Sequence, residues 1–128
     1  MEYLVAALAN GERGKAGRPT LVLDDVLCGV ARLKSLDMSS HDYCGHESPV
    51  FGSTFDMLMG YGFNYLRAGE NVAMGFRTPE AVMAAWMSSP DHREIILKAG
   101  YDKTGVGVII NPSGTIYWTQ LFIKSDEM

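Results

Sequence analysis

Apolar positions recur at a helical interval through most of the chain and switch to strict alternation near its end. Tyr3, Leu4, Ala7, Leu8 and Gly11 fall on one helical side, and Gly14 and Gly17 then interrupt the run, predicting a short first helix. Val26, Leu27, Val30, Leu33 and Met38 repeat the pattern behind an Asp24 or Asp25 cap, predicting a core helix with Arg32 and Lys34 left to solvent. From His41 to Val50 the chain is polar, and Pro49 disfavours helix at Ser48, so this stretch reads as a loop. Thr54 to Tyr61 predicts a third short helix with Phe55, Leu58 and Met59 on one face, stopped before Gly62, and another loop follows.

Two more helix starts share one device. Thr78-Pro79-Glu80 and Ser89-Pro90-Asp91 each offer a hydroxyl cap, a proline where the first helical N–H needs no partner, and an acid at the positive end of the dipole. After them the period becomes two: Val106, Val108 and Ile110, a turn at Asn111-Pro112-Ser113-Gly114, then Ile116, Trp118, Gln120 and Phe122 predict an antiparallel hairpin. Helices first and strands last imply an α+β class, with helices packed on a mainly antiparallel sheet.

With 128 residues, no internal repeat and no long Pro/Gly/Ser linker, the expectation is a single domain over 1–128. Hydrophobic residues at 47% and charged residues at 20% describe an ordinary globular chain rather than a disordered one. A net charge of −4 without a Lys/Arg cluster argues against nucleic acid or an anionic membrane as partner. No apolar run reaches the roughly 20 residues of a membrane-spanning helix, and the start lacks a signal peptide's basic region, so an exported protein would have its targeting segment outside this chain. Cys28 and Cys44 allow one disulfide at most and do not decide the compartment.

Several segments, taken in order, carry a family resemblance: Asn10-Gly11-Glu12-Arg13 with Lys15-Ala16-Gly17, His46-Glu47-Ser48-Pro49, Gly69-Glu70-Asn71-Val72-Ala73, Ala85-Trp86-Met87-Ser88-Ser89-Pro90-Asp91-His92-Arg93, and Gly105-Val106-Gly107-Val108 followed by Tyr117-Trp118-Thr119-Gln120-Leu121-Phe122. Together they resemble the bacterial branch of the CAP superfamily, which includes plant pathogenesis-related and animal cysteine-rich secretory proteins. The resemblance implies a three-layer α-β-α sandwich and an extracellular or cell-envelope location. It also implies a central cleft lined by His46, Glu70 and His92, with Asn71, Tyr117 and Gln120 beside them, able to hold zinc or another divalent cation through His46, His92 and Glu70. Ser88 and Ser89 stand where eukaryotic members carry a second glutamate, Tyr117 where they carry a strand histidine, and Asp91 where a glycine is usual.

The residue types suit such a site. A neutral imidazole binds zinc through one ring nitrogen, and a carboxylate either ligates or accepts the other ring N–H. His92, third in its predicted helix, faces a dipole that disfavours imidazolium, with Asp91 opposing that effect. Each residue also has a plainer reading: His46 as a loop donor to a carboxylate, Glu70 as a backbone acceptor, His92 as a helix-start donor, Tyr117 and Gln120 as cross-strand pairs. Met83, Trp86 and Met87 read as core, Arg93 as a surface residue, and His41 as part of a solvated loop.

Three functions compete. A module binding a small ligand, lipid or cell-envelope component leads, because no Gly-x-Ser-x-Gly elbow or cysteine context supplies a nucleophile. A zinc-dependent, peptidase-like hydrolase would need Glu70 as ligand and then lacks a second carboxylate as base. A structural envelope or spore-coat interaction domain would leave the cleft idle.

Overall fold

The computed structural model describes residues 1–126. Its helices are α1 (Glu2–Lys15), α2 (Asp25–His41), α3 (Thr54–Gly60), α4 (Pro79–Ser88) and α5 (Pro90–Leu97), and its strands β1 (Val22–Leu23), β2 (Tyr65–Met74), β3 (Lys103–Ile110) and β4 (Ile116–Ser125). The strand order is β1-β3-β4-β2, antiparallel except for the short β1–β3 pairing. With α2 and α3 on one face of this sheet and α1, α4 and α5 on the other, the architecture is the expected α-β-α sandwich.

Alternation along β4 feeds both layers. Trp118 and Phe122 enter a core with Val5 and Ala9 of α1, Val82 and Trp86 of α4 and Ile96 of α5. Leu121 and Ile123 face the other way, onto Leu27, Val30 and Ala31 of α2 and Met57 and Leu58 of α3. On β3 the same alternation places Val106 with the first core and leaves Gly105 and Gly107 under α2. A Cβ at Gly107 would lie 2.1 Å from the Arg32 nitrogen and one at Gly105 would lie 2.4 Å from the Leu27 carbonyl carbon, so the helix rests on bare backbone.

The caps follow the sequence with one exception. Asp24 caps α2 by accepting from Leu27 N–H at 2.8 Å, and Thr78 caps α4 by accepting from Ala81 N–H at 3.1 Å. Ser53 and Asp56 close a reciprocal capping box on α3, and Gly62 takes the left-handed conformation after it at φ 81°. Ser89 precedes α5 as expected, yet its hydroxyl meets the His92 ring instead of capping a backbone N–H.

Helix faces depart from the periodicity reading. In α1 the buried side is Val5, Ala6, Ala9 and Arg13, while Tyr3 and Leu4 are exposed, because small alanines let α1 approach the layer beneath it. In α3, Met57 and Leu58 are buried whereas Phe55 and Met59 face outward. Val26 is exposed, and Lys34, expected in solvent, is 1% exposed. The stretch read as a loop after Gly62 contains β2. Cys28 is buried and Cys44 exposed, and both are free thiols.

Candidate functional site

His46 sits on the α2–α3 loop, and the chain immobilises that loop through polar groups of α2. The Asp37 carboxylate, buried, accepts from the Tyr43 hydroxyl and from the Ser48 hydroxyl at 2.5 Å, while His41 Nδ1 bonds the Asp37 backbone carbonyl at 3.2 Å. Ser48 in turn accepts from the backbone N–H of Val50 and Phe51 at 3.0 and 2.9 Å, and its backbone pairs with Gly52. Lys34 donates 3.2 Å bonds to the Tyr43 hydroxyl and to the His46 carbonyl, and lies 5.0 Å from the Tyr43 ring centre. Burial, together with the bond to Asp37, pushes the Tyr43 phenol well above its ordinary value. Thus the serine of the His-Glu-Ser-Pro segment is a loop lock, and the histidine is what the loop presents.

The partner comes from β2. His46 Nδ1 lies 2.9 Å from Glu70 Oε1; a carboxylate only accepts, so Nδ1 carries the proton and Nε2 is the lone-pair nitrogen whenever the ring is neutral. The Glu70 side chain is 1% exposed and that of His46 57%. The hydrogen bond to Glu70 raises the His46 pKa, with partial burial working against it. Glu70 Oε2 is buried without a hydrogen-bond partner among the described residues.

Around this pair lies a cleft of about 330 Å³. Its walls are Glu47, Ser53, Thr54 and Phe55 on the loop side, Ala68 and Gly69 of β2, and Ile95 and Tyr101 from beyond the sheet. Tyr101 closes over Gly69: a Cβ there would lie 2.5 Å from the Tyr101 hydroxyl and would push that ring aside. Tyr101 and Phe55 were not among the residues expected at the site. Tyr101 follows an unpatterned turn, and Phe55 read as the buried side of a helix.

The other expected residues lie elsewhere. Successive strand residues face opposite layers, so Asn71 points away from Glu70 and donates to the His92 carbonyl at 3.0 Å. Gln120, its cross-strand partner, shares that face and donates to Thr104 Oγ1 at 3.0 Å. Both side chains are fully buried, and Asn71 Oδ1 and Gln120 Oε1 lack partners among the described residues. Tyr117 shares the Glu70 face but is packed among Met38, Val72 and Tyr43. None of the three lines the His46–Glu70 cleft.

His92 holds the third position of α5, with Nδ1 2.9 Å from Ser89 Oγ. α5 also supplies Ile95 to the cleft wall, yet among the described residues no hydrogen bond or ion pair joins His92 to His46 or Glu70. Among the described residues no three His, Cys, Asp or Glu side chains converge as metal ligands. Met83 and Trp86 belong to the core with Met87 packed against it, and the Trp86 indole donates to the Val72 carbonyl at 3.2 Å.

Residues 6–122 match the cysteine-rich secretory protein family, CAP. The chain is 47% identical over 122 residues to the uncharacterized protein YkwD of Bacillus subtilis (strain 168), covering 95% of this chain and 46% of that one. It superposes with TM-score 0.90 and 30% identity on an extracellular protein containing an SCP domain from Bacillus anthracis, covering 97% of this chain and 40% of that one. For an outer surface protein of Borrelia burgdorferi the TM-score is 0.88 at 23% identity, with 97% of this chain and 92% of that one covered. The chain therefore spans under half the length of its Bacillus relatives.

Proposed function

Since this chain belongs to the cysteine-rich secretory protein family, CAP, we propose that it is a binding module of the extracellular space or cell envelope, with the His46–Glu70 cleft as its site for a small ligand, lipid or envelope component. The observation that carries the reading is Glu70 Oε2, a buried acceptor without a partner among the described residues, at the edge of an open cleft. Leaving such a group unpaired costs about 1–3 kcal/mol, which a donor brought by a ligand returns. Apolar walls at Phe55, Ala68 and Ile95 beside a few polar groups match the usual composition of a ligand cleft. The likeness to the extracellular SCP-domain protein of Bacillus anthracis supports the location.

A zinc site does not fit these residues. His46 and Glu70 offer two donors, where structural and catalytic zinc sites use three or more protein ligands. The hydrolase reading loses both its third ligand and its base, and binding without turnover is favoured.

The test is a fragment screen read by amide NMR shifts. Shifts clustered at Glu47, Phe55, Gly69 and Tyr101, and lost in Glu70→Leu, are expected. Shifts clustered elsewhere, or none, refute the assignment. Zinc titrated into metal-free protein is expected to bind weakly, and nanomolar one-to-one binding abolished in His46→Ala would overturn the metal conclusion.

A further inference from the structure

The cleft runs along an open sheet edge. Among the described residues, β2 ends the sheet and pairs on one side only, with β4. Val72 turns its carbonyl away from β4, to the Trp86 indole, whereas Gly75 N–H donates to Ile116 at the start of β4. Strand alternation then gives Ala68 and Glu70 the orientation of Val72, with N–H and C=O facing outward. No hydrogen bond among the described residues occupies these groups. Ala68 and Gly69 are half-buried and Glu70 is 3% exposed, so the groove is open at Ala68 and deepens to the carboxylate.

Resting on the reading of this cleft as a ligand site, we propose that its ligand is an extended peptide that adds a strand to the Ala68–Glu70 edge and places a Lys or Arg side chain against Glu70. Backbone groups at strand spacing are satisfied by another extended backbone, the mode in which main-chain bonds supply affinity and alternate side chains supply specificity. The added residue opposite Glu70 projects to the same face as the carboxylate, with Cβ atoms about 4.5–5.5 Å apart, which brings a basic side chain to Oε2. His46 already occupies Oε1, and that leaves Oε2 for the newcomer. Charge favours the same choice: the lining carries Glu47 and Glu70 and neither Lys nor Arg. Two positions along, the residue opposite Ala68 returns to this face beside Phe55, where an apolar side chain fits. The ligand pattern is therefore an apolar residue two positions from a basic one.

A library of capped hexapeptides, free of terminal charge, tests this. Retained peptides are expected to be enriched in Lys or Arg two positions from an apolar residue. Replacing that Lys by norleucine should weaken binding to the wild-type protein about ten- to hundred-fold, the loss of one charge-assisted bond. Methylating a backbone nitrogen on the edge-facing side should weaken it about ten-fold, and Glu70→Gln should abolish the basic preference. Norleucine peptides that bind as well as lysine peptides, methylation without effect, or no retention at all overturn the proposal. Fragments that shift the cleft while peptides do not would remove this inference and leave the binding reading standing; silence in both would remove both.

Discussion

Replacing Gly107 by Ala should separate α2 from the sheet, and the size of the effect can be worked from the backbone. The new Cβ would stand 2.1 Å from Arg32 N, 2.2 Å from Ala31 C and 2.5 Å from Ala31 O. These are main-chain atoms in the middle of a 17-residue helix, so no rotamer relieves them. Relaxing the closest contact to 3.4 Å moves α2 back by roughly 1.3 Å. Overpacking costs typically about 1–3 kcal/mol, and a radial gap of about 0.5–1 Å forfeits a quarter to a half of each dispersion contact across the seam. We expect at least about 3 kcal/mol, a large part of the stability of a domain this size. At about 4 °C per kcal/mol, Tm should fall by roughly 12 °C or more. Urea unfolding should show a lower midpoint at unchanged slope. Gly29→Ala in the same helix is the control: a Cβ there meets nothing within 4 Å, and the change should stabilise by about 0.5–1 kcal/mol. A Gly107→Ala protein within about 1 kcal/mol of wild type would refute the claim that α2 seats on bare backbone.

Further outcomes follow from the polar groups. NMR titration should find the His46 pKa above 6.5 in the wild type and lowered in Glu70→Gln, since the bond to Glu70 is the main cause of its rise. A raised histidine pKa stabilises fully below the unfolded value and loses its contribution as pH climbs through the folded one, so the wild type should lose its advantage over Glu70→Gln from about pH 6 upward. Asp37→Ala strips partners from Tyr43 and Ser48; a loss of about 2–4 kcal/mol is expected, with faster hydrogen exchange at Val50 and Phe51. Unchanged exchange there would break the link between Asp37 and the His46 loop. Arg13, fully buried, donates to the carbonyls of Pro19, Ile96 and Lys98; Arg13→Ala should cost about 3 kcal/mol in urea unfolding, and a neutral result would deny that it clips α1 to the end of α5.

Much of this was legible in the residues. The starts of α2, α4 and α5 and the β3–β4 hairpin follow from caps, prolines and alternation, because those signals are local. β2 was not legible as a strand: Glu70, Asn71, Val72 and Ala73 are all buried, with layers over both faces, so polar and apolar residues do not alternate. That packing also explains the incomplete site. Motif order brings His46 to Glu70, yet Asn71, one residue on, belongs to the other layer with His92 and Gln120. Lys34 looked like a solvent position because its periodicity carries no trace of the Tyr43 hydroxyl and His46 carbonyl that receive its ammonium. Tyr101 reaches the cleft only over Gly69, a contact between distant segments.

The placement of β4 has a mechanical consequence. It is hydrogen-bonded along its length to β3 on one side and β2 on the other, both antiparallel. Tension applied along β4 is therefore met in shear by two ladders at once, whereas tension on the two-residue β1 peels a single short pairing. In a pulling experiment the sheet should yield first at β1, and β4 should be the last strand to leave.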